Sequence, residues 1–178
     1  MKKKREKVKG RARAIVCMIL LIVLSIPLGA GFSLMRERDA VRDHYYILIE
    51  DLADCRDEAV NMTTLAGKYM EADTKVLEAV KEWNHQLGVS ESPAEKAAAY
   101  TELTQSVNTL YNQLGEMDMT EADAEYREEI YADYMLYVDL ISYSEYSVEA
   151  MKFNEKFLNS PAKTIGMLLG VTELEPFA

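Results

Sequence analysis

At 178 residues, with four prolines and eight glycines, the chain is sized for one domain and too poor in turn-formers for an all-β protein. Its formal charge of −10 is unevenly spread: residues 1–13 hold eight basic side chains and one acid, +7, and the remainder holds twelve basic and twenty-nine acidic ones, −17. A body of that sign does not track a phosphate backbone, which argues against nucleic acid as a partner.

Residues 1–13 read as a basic cytoplasmic tail. Residues 14–35, "AIVCMILLIVLSIPLGAGFSLM", carry no charge. As a helix they span roughly 33 Å, enough to cross a bilayer core, and they read as a transmembrane anchor. The basic excess before the run, against Arg36, Arg38 and Arg42 after it, predicts a single-pass protein of the plasma membrane with its amino terminus inside and residues 36–178 outside. The alternative is a cleaved signal peptide at "IPLGAG", but a cut after Ala30 puts Leu28 at a position where a small residue is usual. Cys55 is then the lone cysteine of the outer body, so no intrachain disulfide is expected there.

From Val41 the apolar residues keep a four-three spacing: Val41, Tyr45, Leu48, Leu52, Cys55, Ala59, Met62, Ala66, Tyr69, Val76, Val80, Trp83 and Leu87, with only Asp73 breaking the seam. A sustained seven-residue repeat predicts a helix wound against partner helices, from about Arg36 to Leu87. Gly88 ends it. Ser92, Pro93 and Glu95 form a capping box with proline in the first turn. They start a second helix, with Tyr100, Leu103, Val107, Leu110, Leu114 and Met117 on one side. Thr120 and Asp123 start a third, running to about Asn159, and Ser160-Pro161 starts a short last one. The predicted fold is all-α: an amino-terminal transmembrane helix, then an antiparallel bundle of three long helices plus a short carboxyl-terminal helix.

Length arithmetic then assigns surfaces. A first helix of about 78 Å is not matched by a second of about 37 Å and a third of about 58 Å. The seam from Arg36 to Met62 is left without a partner in the chain, which predicts a second chain: a homo-oligomer or another membrane protein. Val41, Leu48, Leu52 and Cys55 are the candidate interaction residues there. Asp73 is expected to be paired or to sit where the seam opens to water. The closing segment, with Ile165, Met167, Leu168, Leu169 and Val171, is expected to fold over helical surface far from the chain's own membrane.

The closing pattern resembles that of the LemA family of bacterial membrane proteins. Phe153-Asn154 stands for a Tyr-Asn pair, Ser160-Pro161 for Phe-Pro, and Gly166, Gly170 and Phe177 take the later places. Tyr146-Ser147 sits at an earlier Tyr-Asn; Asp57, Asn61, Tyr69 and Asp73 fall where the family has Asp, Asn, Tyr and Glu. The chain departs at Asp54 and Cys55, where paired arginines are expected, and at Val60, where proline is usual. The resemblance covers the whole chain in order through short motifs, as for a divergent member. It implies an anchored antiparallel helical bundle and no transferable chemistry. Asn154, Pro161 and Gly170 join the candidate interaction residues on this basis.

Catalytic signals are weak. Glu82 and His85 make one ExxH pair, but a di-iron bundle needs two, and His44 has Val41 three residues before it. No nucleophile motif or phosphate loop occurs. No enzyme activity, metal or cofactor is expected. Six tyrosines between Tyr126 and Tyr146 suit a ligand groove or, more simply, ring packing with hydroxyls reaching outward. The reading is an interaction or scaffold module at the bacterial cell envelope. The alternatives are an extracytoplasmic ligand sensor relaying to a membrane partner, and a secreted helical protein after cleavage.

Overall fold

The structure, a computed structural model, describes residues 2–72 and 74–178, and the side chains of 14–23, 25–72 and 74–178. The described residues form helices and turns without a strand: α1 (Lys2–Ala66), α2 (Lys75–Val89), α3 (Pro93–Gly115), α4 (Glu121–Ser142), α5 (Tyr146–Asn159) and α6 (Lys163–Leu168). They fall into two compact units, Met1–Ala40 with Lys152–Leu174, and Val41–Met151 with Glu175–Ala178.

The larger unit is an antiparallel helical bundle. Its first helical segment, α1 from Val41, ends at Ala66 and not at Leu87, correcting the predicted unbroken helix. The chain turns through Gly67, Lys68, Tyr69 and Met70, whose backbone N–H groups reach back to Thr63, Leu65 and Ala66 carbonyls. α2 then runs back along α1. Arg56 Nε donates to the Asn84 carbonyl at 3.1 Å and to its Oδ1 at 3.0 Å, and Asn84 Nδ2 donates to the Arg56 carbonyl at 3.3 Å. A seven-residue repeat records that one face is buried by helices; it does not say whether the next turn of the pattern continues upward or folds back.

Two of the three predicted helix starts are capped as read; the third is not, since α6 begins at Lys163 with Ala162 at its N-cap and no side-chain cap, Ser160 and Pro161 lying in the turn before it. Ser92 Oγ accepts from the Glu95 N–H at 3.2 Å with Pro93 in the first turn, and Thr120 Oγ1 accepts from the Asp123 N–H at 3.2 Å. The predicted third helix is two: α4 stops at Ser142, and α5 begins after Tyr143, Ser144 and Glu145. α3 and α4 are tied by Tyr131 Oη donating to Asn108 Oδ1 at 2.9 Å and by the Thr104–Tyr134 hydroxyl pair at 3.1 Å. At the turn ends, Lys68 and Tyr69 bind Asp123 at 2.7 and 2.6 Å, while the Tyr45 and Tyr146 rings meet at a tilt of 41° with centroids 4.8 Å apart. α4 and the start of α5 therefore run antiparallel to α1, back to its Val41 end.

The core is the predicted seam, now shared within one chain. Leu48, Leu52, Cys55, Ala59, Met62, Leu65 and Ala66 of α1 are buried together with Leu77, Val80, Leu87, Leu103, Val107, Leu110, Leu114, Ile130 and Tyr134. The seam from Arg36 to Met62 is thus not free, and the length argument for a second chain falls with the unbroken helix. The exposed face is charged, as an amphipathic bundle requires.

The smaller unit holds the start of α1, the end of α5 and α6. Among the described residues from Ile15 to Phe32 the large apolar side chains of α1 are exposed, and this helix is long and apolar enough to cross a membrane. At Gly31 and Leu34 burial begins.

Candidate interaction surfaces and the docked tail

The predicted site residues divide sharply. Val41, Leu48, Leu52 and Cys55 are core residues of the bundle, 8%, 1%, 2% and 0% exposed, and offer nothing to a partner. The expectation for Asp73 lies outside the described residues. Cys55 is a buried apolar group beside Tyr134, and burial pushes its thiol up to about 12. A thiol so placed packs as a small apolar group.

The closing segment docks inside the smaller unit on residues 31–38 of α1, correcting the expectation that it lies far from the uncharged run of residues 14–35. The first half of the chain is shorter in rise than the arithmetic assumed, because α2 folds back. α6 lies close to α1 where a side chain is missing: a Cβ on Gly31 would stand 2.8 Å from Ile165 Cγ2 and 3.0 Å from Leu169 Cδ1. Gly166, itself buried, brings its backbone near Phe157 and Leu34. α6 ends in a Schellman motif. The Val171 N–H donates to the Gly166 carbonyl at 2.9 Å and the Gly170 N–H to Met167 at 3.0 Å, with Gly170 at φ +80°. The Gly170 carbonyl accepts from Arg38 Nη1 at 2.6 Å, and Lys156 pairs with Glu37 at 2.7 Å.

Asn154 then fixes the exit of the tail. Its Nδ2 donates to the Leu174 carbonyl at 2.7 Å and its Oδ1 accepts from the Leu174 N–H at 2.8 Å, as a strand neighbour would. Pro161 is exposed in the turn before α6, where Ser160 Oγ accepts from the Ala162 N–H at 3.1 Å. Within the bundle the last residues are held the same way: Tyr146 Oη donates to the Glu175 carbonyl at 2.7 Å and Ser147 Oγ to that of Phe177 at 2.6 Å, whose ring meets Tyr100. The motif residues Tyr146-Ser147, Asn154, Gly166 and Gly170 therefore share one task, which is to seat the tail.

The tyrosine group splits. Tyr134 and Tyr146 are buried, and burial raises both phenols, Tyr146 to about 12. Tyr131 stacks on Tyr111 at 3.8 Å, and Tyr143 is 82% exposed. Glu82 and His85 are exposed on α2, with Glu82 bound by Gln86 Nε2 at 2.8 Å.

Two surfaces escaped the reading of the sequence. Leu136 and Leu140 of α4 and Tyr143, its C-cap, continue one helical stripe and are 54%, 45% and 82% exposed, flanked by exposed Asp133 and Asp139. Their i, i+4, i+7 spacing was legible, but it runs beside the buried row of Ile130, Tyr134 and Ile141 and merges with it in the sequence. The break between α4 and α5 also opens a pocket of about 350 Å³ lined by Leu48, Tyr100, Ser142, Ser144, Ser147 and Phe177, among others. No family model and no curated protein matches this chain.

Proposed function

We propose that the chain is a non-enzymatic, single-pass membrane protein of the bacterial cell envelope, a divergent relative of the LemA proteins, whose helical body outside the cytoplasmic membrane serves as an interaction module. The observation that carries this reading is the change of burial along α1. The described large apolar side chains from Ile15 to Phe32 are exposed, whereas the apolar row from Leu34 through Val41 to Ala66 is covered by the chain itself. A solvent-exposed run of that length is unfavourable in water and favourable in lipid.

The module's docking face is the stripe of Leu136, Leu140 and Tyr143. With Asp133 and Asp139 beside it, on a unit holding seven basic and twenty-five acidic side chains (−18), it suits a membrane-anchored partner with a basic, partly apolar outer surface. A second copy of the same charge is disfavoured there. The test is a photo-cross-linking residue in place of Tyr143, in native membranes. The expected result is a discrete adduct with a membrane protein, lost at high salt and absent from the same label at Thr109 of α3. Equal adducts from both positions, or none from either, refute the docking face. Resistance of the protein to carbonate extraction checks the anchor separately.

The pocket at the α4–α5 break favours one second reading, a sensor for a small hydroxyl-bearing ligand. A thermal upshift with such a ligand that is abolished by Ser144→Leu supports it; a melting temperature unmoved by any ligand tried counts against it.

A further inference from the structure

We propose that α6 is a second membrane contact: it seats in the outer interface of the bilayer beside the anchor, with Met167 and Leu168 entering the lipid. This rests on the reading of α1 as a membrane anchor.

The level of α6 follows from α1. A hydrocarbon core of about 30 Å takes about 20 helical residues, and counted from Arg13 it ends near Ser33. α6 packs on Gly31 and Leu34, so it stands at the edge of the core and not in bulk water. Its outward side is apolar. Gly166 is buried and Ile165 and Leu169 are half-buried, while Met167 is 59% and Leu168 82% exposed. Phe32, on α1 in the same unit, is 51% exposed.

Backbone chemistry permits the position. A chain segment entering a low-dielectric region must satisfy its own polar groups. The end of α6 does so: Val171, Gly170 and Leu169 N–H groups return to Gly166, Met167 and Ile165 carbonyls, and Arg38 takes the outward Gly170 carbonyl. The charge is also partitioned to suit. Beyond the anchor, the smaller unit carries five basic and four acidic side chains, +1, against −18 for the bundle. The segment that must approach anionic headgroups is the one not repelled by them.

The full chain, carrying Cys17→Ser, is reconstituted in phosphatidylcholine–phosphatidylglycerol vesicles. A polarity-sensitive fluorophore is placed at Leu168→Cys, Ile22→Cys or Glu155→Cys, with Cys55 left in its buried place. Expected is a blue shift and a severalfold rise in intensity at position 168 relative to position 155, with quenching strongest by lipids spin-labelled near the headgroup. Emission at 168 matching that at 155, while 22 is quenched by deep spin labels, overturns this inference and leaves the anchor standing. A water-like signal at 22 as well overturns the anchor reading and this inference with it.

Discussion

Cys55 and Gly170 show how differently two residues of one candidate set behave once placed. The Cys55 thiol is fully buried and burial pushes it up to about 12, the setting of a packing group. In a Cys17→Ser background, native protein should resist thiol reagents and run as a monomer on non-reducing gels after oxidant, reacting only when unfolded. Gly170 is required by geometry. At φ +80° a side chain meets its own backbone, although no neighbour lies within 4 Å of its missing Cβ. Gly170→Val should cost about 1–2 kcal/mol, and more than Ala for its β-branch. Hydrogen exchange should show the loss first at residues 165–171, since this cap ties α6 down. Asn154 was legible only as half of a motif; that it grips the Leu174 backbone needed the fold.

Among the elements, the decisive one is the turn between α1 and α2. The apolar phase carries across Asp73 from Met62 and Ala66 to Val76, Val80 and Leu87, so periodicity alone continues the helix. Gly67 and Thr74 were the available signals. Each is weak singly, since an isolated glycine is tolerated in a helix. The turn is held at its far side by Asp123, which binds Lys68 and Tyr69, and Lys68 above all holds its carboxyl below the ordinary value of 3.8. A carboxylate whose folded pKa is depressed stabilises the fold above its unfolded pKa and loses that contribution as pH falls through the folded value. Melting temperature followed from about pH 5 to pH 2 should therefore fall less steeply for Asp123→Asn than for the parent, with the parent the more stable at the upper end. Equal slopes would mean that the pair is decoupled from folding. Two of the three start signals were read well: Ser92-Pro93 and Thr120 cap where the sequence placed them, because a cap is a local hydrogen bond needing no distant partner, whereas Ser160-Pro161 forms a turn ahead of α6 and does not cap it.

For the molecule as a whole, the question is whether the α1 seam is core or interface. Leu48 is 1% exposed within a single chain. Leu48→Asp buries a charge with no partner and should cost about 3 kcal/mol or more. As a core change it lowers the melting temperature by an amount independent of protein concentration; a seam between subunits would instead give a folded monomer and a concentration-dependent transition. Charge works at this scale too. The larger unit carries −18, and the smaller unit beyond residue 35 carries +1, so a basic partner would be drawn to the larger unit.

The amino-acid sequence by itself determined the all-helical class, the uncharged run of residues 14–35, the buried stripe of α1 and the two helix caps, because each depends on residues within a few turns of one another. Only the tertiary structure decided that α2 folds back to cover that stripe, that the tail lies on residues 31–38 of α1, and that Leu136, Leu140 and Tyr143 remain open. Burial is a property of which surfaces meet, and one periodic pattern serves equally for a helix that finds its cover in another chain and for one that finds it by turning at Gly67.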